Sequence, residues 1–223
     1  GEDKSLGDEA RYFYKVQAGN IVDVPSADSP VASAVTKPVP TRVTGLRAAQ
    51  GEVKQVSLRW APNLEKDIAR YEIFRGGDPA SVNKKIQETP GNVQQFSDQG
   101  LEDGMKYYYR VRAVDQDGLE GQYSDTVMSA TKPLPMKPTG IRGGFEGNQI
   151  RLSWKPNGEK DIVKYVVGLK GFFTWDRIGE SAGTDYVYRG ELKKGKTPTF
   201  RVIAVDQTGL ESEPSDETSV LIP

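Results

Sequence analysis

The fold turns on Tyr107-Tyr-Tyr-Arg-Val-Arg-Ala-Val-Asp-Gln-Asp-Gly-Leu-Glu120. Tyr107, Tyr109, Val111 and Ala113 occupy every second position, with Tyr108, Arg110 and Arg112 between them. A period of two places alternate side chains on opposite faces of an extended strand, whereas a helix would scatter them around its axis. The Asp and Gly residues that follow are turn formers, so the strand ends there. Reading outward, Ala113-Val-Asp-Gln116 with Gly118-Leu-Glu120 returns 91 residues later as Ala204-Val-Asp-Gln207 with Gly209-Leu-Glu211. Trp60-Ala-Pro-Asn63 and Lys66-Asp-Ile68 return 94 residues later as Trp154-Lys-Pro-Asn157 and Lys160-Asp-Ile162. An interval of this size is one small domain.

A third, shorter copy stands at the front. Leu6, Tyr12, Tyr14, Val16, Ala18, Ser29 and Thr36-Lys-Pro38 match Leu101, Tyr107, Tyr109, Val111, Ala113, Ser124 and Thr131-Lys-Pro133 at an interval of 95. The same alternation marks Val56, Leu58 and Trp60, then Ile150, Leu152 and Trp154, then Phe200, Val202 and Ala204. No stretch of a dozen residues carries a capped helical period, and short alternating runs separated by Gly, Pro, Asn and Asp clusters predict antiparallel sandwiches with almost no helix. Thr36-Lys-Pro-Val-Pro-Thr41 and Thr131-Lys-Pro-Leu-Pro-Met-Lys-Pro138 divide the copies. Closely spaced prolines make them short, semi-rigid joints.

The Trp before the first turn, the Tyr of the next strand (Tyr71, Tyr165), the Leu101-Glu-Asp-Gly104 corner and the Tyr-x-Tyr-x-Val-x-Ala strand together resemble the fibronectin type III family. The resemblance covers nearly the whole chain. It implies an all-β fold of tandem immunoglobulin-type sandwiches, one partial and two complete. Residues 1–37 would be the last two strands, F and G, of an upstream domain, 38–134 one domain and 135–223 another. Trp60, Tyr71, Tyr107, Trp154 and Tyr165 are the expected structural core. The second complete copy keeps Leu192-Lys-Lys-Gly195 but has Pro198 where the corner tyrosine belongs, so its corner hydrogen bond cannot form. Two strands alone are marginal in water, so the rest of that first domain is expected to be either missing or supplied elsewhere.

Composition narrows the chemistry. The 223 residues include no Cys and no His, which removes disulfides, thiolate and imidazole catalysis and the usual ligands of zinc, copper and haem. Lys and Arg total 30 against 31 Asp and Glu, mixed along the chain, so no field favours nucleic acid or an anionic membrane. No apolar run reaches the ~20 residues of a membrane helix, so any membrane attachment is expected through an anchor outside this chain. We expect no catalytic, cofactor-binding or metal-binding residues.

Two groups of residues stand out against that background. Asp67 and Asp161 follow the Trp motif, while Asp115, Asp117 and Asp206 come after strand F, the strand that closes in Ala-Val in each copy, at the same end of each sandwich. Clustered carboxylates suit calcium, but the spacing is not maintained, since Thr208 replaces Asp117, and Asp is an ordinary turn former. Turn chemistry is the expected role. Gly171-Phe-Phe-Thr-Trp175 adds aromatics to a strand connection where the preceding copy has Asp78-Pro-Ala-Ser-Val82. Phe172, Phe173 and Trp175 are the candidate partner-binding residues, with local packing the favoured alternative for the two phenylalanines and Trp175 favoured to pack on its own sandwich edge.

The phrases Trp-x-Pro-Asn and Ala-Val-Asp-Gln-x-Gly-Leu-Glu-Ser are similar to repeats of bacterial exported proteins, including fibronectin-like surface lipoproteins. That resemblance implies a non-catalytic structural spacer or protein-binding array of a surface or envelope protein, at the cell surface, outer membrane or periplasm. The implied partners are proteins, host extracellular matrix or another envelope subunit. The alternative is a set of accessory linker modules in a secreted carbohydrate-active enzyme.

Overall fold

A computed structural model describes residues 2–4, 6–22 and 24–223. All regular structure among them is β, and no helix of the described residues is long and apolar enough to cross a membrane. They form two compact units, residues 1–101 with 106–131, and residues 102–105 with 132–223.

The first unit opens with an antiparallel ribbon, β1 (Arg11–Tyr14) on β2 (Ala32–Val35), in which Tyr12 faces Ala34 and Tyr14 faces Ala32. Its sandwich follows, from β3 (Arg47–Ala48), β4 (Gln55–Arg59), β5 (Ile68–Gly76), β6 (Lys84–Pro90), β7 (Gln95–Gln99), β8 (Lys106–Asp115) and β9 (Val127–Ala130). The sheets run β3-β4-β7 and β6-β5-β8-β9. Alternation does what the sequence predicts. Val56 and Leu58 of β4 meet Tyr71 and Ile73 of β5 and Tyr109, Val111 and Ala113 of β8 in one core. Each large apolar side chain so buried contributes roughly 1.5–3 kcal/mol.

Pairing in the ribbon has the register of the complete copy shifted by the repeat interval. Tyr107 faces Ser129 and Tyr109 faces Val127, as Tyr12 faces Ala34 and Tyr14 faces Ala32. A serine hydroxyl accepts the strand N–H in both, Ser29 from Val16 and Ser124 from Val111, each at 3.0 Å.

The second unit is built from β10 (Thr139–Glu146), β11 (Gln149–Lys155), β12 (Ile162–Lys170), β13 (Trp175–Ser181), β14 (Asp185–Tyr188), β15 (Thr199–Asp206) and β16 (Thr218–Ser219). Its sheets run β10-β11-β14 and β13-β12-β15-β16, the same order as in the first sandwich. Ile150, Leu152, Trp154, Tyr165, Phe200, Val202 and Ala204 make its core.

Trp and Tyr play one role in both sandwiches. Trp60 meets Tyr71 edge to face at 5.5 Å and Trp154 meets Tyr165 at 5.3 Å. The buried tyrosine hydroxyls then accept the backbone N–H of Asn63 at 2.9 Å and of Asn157 at 3.1 Å, which holds the following loop against the core. Tyr107 is less buried than the other four expected core residues. It packs on the margin of the core with the Arg75 guanidinium 5.6 Å from its ring centre, and Tyr109 on the same strand face is the deeper of the two.

Candidate functional site

Two features of the sandwiches could serve a partner or a joint: an aromatic hairpin tip and an acidic end. The tip joins β12 to β13. Gly171 N–H donates to the Thr174 carbonyl at 2.8 Å and closes the turn, and a Cβ on Gly171 would come within 3.0 Å of that same oxygen, so glycine is the residue that fits. Phe172 and Phe173 project from the turn 92% and 90% exposed, their rings edge to face at 4.5 Å. Trp175 behaves differently. It is half-buried, with the Arg201 guanidinium 4.2 Å and the Lys170 ammonium 5.8 Å from its ring centre, so one aromatic face is already used within its own sheet. Lys170 is itself paired with Glu217 at 3.0 Å, and the flank of the tip carries both signs of charge.

The matching connection of the first sandwich is polar. Asp78 Oδ1 there accepts the N–H groups of Ala80 and Ser81 at 2.9 and 3.0 Å, and Val82 turns inward to near-complete burial. A self-capped turn has been replaced by two phenyl rings in water.

At the acidic end each aspartate does two jobs. Asp115 Oδ1 accepts the N–H groups of Asp117 and Leu119, both at 2.9 Å, and Asp206 Oδ1 accepts those of Thr208 and Leu210 at 2.8 and 3.0 Å. This is the turn chemistry expected from the sequence. The other oxygen of each carboxylate has a role that sequence reasoning missed. Lys37 Nζ lies 2.6 Å from each of Asp67, Asp115 and Asp117, and Lys132 Nζ lies 2.8 Å from Asp161, 2.7 Å from Asp206 and 3.2 Å from the Thr208 hydroxyl. The three carboxylates of the first cluster have oxygens within 4.8 Å of one another, close enough to share a single cation. The cation they share is the lysine ammonium.

The titration behaviour follows from the contacts. The hydrogen bonds that Lys37 donates to Asp115, Asp117 and Asp67 raise it above the usual lysine range, and those that Lys132 donates to Asp161 and Asp206 raise it likewise. Lys37 in turn lowers Asp115. Burial alone would raise Asp206, but Lys132, Thr208 and the turn N–H groups outweigh it and bring the carboxyl to about 2. The signal that could have exposed the pairing was in the repeats. Thr36-Lys-Pro38 recurs at 95 residues and Asp67 recurs at 94, so opposite charges repeat together.

Residues 40–129 match the fibronectin type III domain. The chain is all-β with fibronectin type III-like sandwiches in tandem. Over 219 residues, 92% of this chain, it is 24% identical to Myomesin-2 of Homo sapiens and covers 15% of that protein. It is 34% identical over 143 residues to Amylopullulanase of Thermoanaerobacter thermohydrosulfuricus, 61% of this chain and 9% of that protein. It is 25% identical over 238 residues to Exoglucanase B of Cellulomonas fimi, 98% of this chain and 21% of that protein. The chain thus spans a small part, 9–21%, of the length of these relatives. The fibronectin type III fold matched by residues 40–129 is ordinarily non-catalytic.

Proposed function

We propose that this chain is a spacer and protein-binding array within an exported bacterial surface or envelope protein, and that the β12–β13 tip is its contact point. The observation that carries the contact is the pair Phe172 and Phe173, exposed on a tight turn anchored by Trp175 and Arg201. Two phenyl rings held in water forgo roughly 2 kcal/mol each relative to burial, and a rigid tip delivers them to an apolar pocket with little entropy left to lose. Adhesion to host matrix is one form of this function. Binding of the chain to purified collagen, laminin and fibronectin is the direct test. A matrix adhesin shows saturable binding to one of them that falls at least about tenfold in the Phe172→Ala/Phe173→Ala variant. Binding unchanged by that variant removes the tip from the proposal.

The second reading, accessory linker modules of a secreted carbohydrate-active enzyme, is favoured by the similarity to Amylopullulanase and Exoglucanase B. It predicts a glycosidase domain on the same natural polypeptide and no matrix binding. The intact mass and full sequence of the natural protein separate the two.

A further inference from the structure

The lysines at the acidic ends do not arrive alone. Lys37-Pro-Val-Pro-Thr41 and Lys132-Pro-Leu-Pro-Met136 share the pattern Lys-Pro-x-Pro-x, 95 residues apart. After each Trp-x-Pro comes Asn-x-Glu-x-Asp, as Asn63-Leu-Glu-Lys-Asp67 and Asn157-Gly-Glu-Lys-Asp161, 94 residues apart. The two patterns meet in the same way in both sandwiches. Glu65 Oε1 accepts the backbone N–H of Thr41 at 2.5 Å, and the Asn63 amide donates to the Thr41 carbonyl at 2.8 Å. Glu159 Oε1 accepts the N–H of Met136 at 2.6 Å, and the Asn157 amide donates to the Met136 carbonyl at 2.6 Å. Between the two grips the second proline of each segment, Pro40 or Pro135, is buried.

We infer that Asn-x-Glu-x-Asp, together with the aspartate that ends β8 or β15, is a receptor for an extended Lys-Pro-x-Pro-x segment. It takes the ammonium at one end and, four residues further on, the N–H and the C=O of a single residue, donor and acceptor on either side of its Cα. Backbone atoms are gripped in both copies, so methionine can stand at residue 136, while at residue 41 the threonine hydroxyl adds an acceptor for the Asn63 amide at 3.1 Å. The near grip reads a side chain, and it reads lysine. An ammonium is a compact donor of three hydrogen bonds, matching three oxygens gathered around a point, whereas the planar fork of arginine matches a single carboxylate.

The segment is also suited to capture. Its two prolines fix φ and remove two N–H donors, so the five residues arrive extended, with little freedom left to lose and no strand pairing to satisfy. The Glu65 and Glu159 carboxyls lie below the usual range. Burial would raise both, and the N–H of Thr41 or Met136, each residue's own backbone N–H and the neighbouring asparagine together outweigh it. The acceptor of the far grip is therefore held ionised. This inference deepens the spacer half of the reading above, on which it rests, and is independent of what the hairpin tip binds.

The ribbon and first sandwich give the test, because both lie in one compact unit and Lys37 connects them. The chain has no cysteine, so Arg11→Cys and Lys84→Cys accept nitroxide labels without competition, one on the ribbon and one on the sandwich. Electron–electron distance measurements on the full chain are expected to give a narrow distribution. Lys37→Met should broaden it about twofold, as for a released short linker, while the sandwich stays folded with a lowered melt because its buried Asp115 loses a partner. Lys37→Arg should broaden it too, and Glu65→Gln combined with Asn63→Ala should do so from the other grip. An unchanged width in Lys37→Met overturns the receptor, and an unchanged width in the Glu65/Asn63 variant overturns the two-point reading. Calcium added to Lys37→Met should leave the distribution broad, and narrowing back would show a general cation site in place of a lysine receptor. Loss of matrix binding in the tip variant moves none of these widths, so the two readings fail separately.

Discussion

The two sandwiches share sheet order and a Trp–Tyr pair, yet close one part of the core by opposite chemistry. In the first, Asp98 of β7 sits across from Val56 and is 7% exposed. Arg75 meets both its oxygens at 2.8 and 3.0 Å and the fully buried Tyr109 hydroxyl donates to it at 2.9 Å. In the second, Tyr188 holds the place of Asp98 across from Ile150, Phe200 the place of Tyr109 and Leu169 that of Arg75. Tyr188 and Phe200 meet edge to face at 5.2 Å. A charged triad and an aromatic pair therefore fill equivalent space. Burial, and then the neighbouring Asp98 charge, push the Tyr109 phenol up, so it stays a donor. The difference teaches that this core position demands volume and satisfied polar groups, and leaves the chemistry open.

That equivalence can be broken or sharpened in order of expected effect. Asp98→Ala strands the Arg75 guanidinium and the buried Tyr109 hydroxyl together, and should cost about 3 kcal/mol, read as a lower urea midpoint of the first sandwich. Acid should act on the second sandwich through Asp206, whose carboxyl is lowered to about 2. A carboxyl lowered on folding contributes its stability in full above the unfolded aspartate value, near 4, and loses it as pH falls toward 2. The loss should be on the order of 1–2 kcal/mol in urea midpoints across that window, and Asp206→Asn should flatten the dependence. Converting the triad wholesale, Arg75→Leu with Asp98→Tyr and Tyr109→Phe, should leave stability within about 1 kcal/mol of the parent, because no charge is left unpaired. Phe172→Ala with Phe173→Ala removes exposed rings and should shift the melt of the second sandwich by less than about 0.5 kcal/mol.

The fold was legible because period-two alternation and the 91- to 95-residue repeats act locally and can be seen without knowing any contact. The same alternation puts Tyr107 and Tyr109 on one face and cannot say which is deeper, and the difference depends on Arg75 arriving from β5. Asp98 gave no warning of burial, since its partners lie 23 and 11 residues away and only the sheet register brings them together. The exposed Phe172–Phe173 tip was legible as an aromatic insertion in a turn. The role of Lys37 and Lys132 was not, because the aspartates already had a sufficient local explanation as turn formers, and their second oxygen has no sequence signature of its own. Charge patterns compared across copies, rather than within one, would have paired them.

The lysine-bearing segment follows the last strand of one copy, while Asn-x-Glu-x-Asp lies early in the next. Donor and receptor are thus inherited from opposite ends of a repeat. A recombination that duplicates or deletes one whole repeat regenerates every such match at the new junction, so the array can change length over evolutionary time without any joint having to be reinvented.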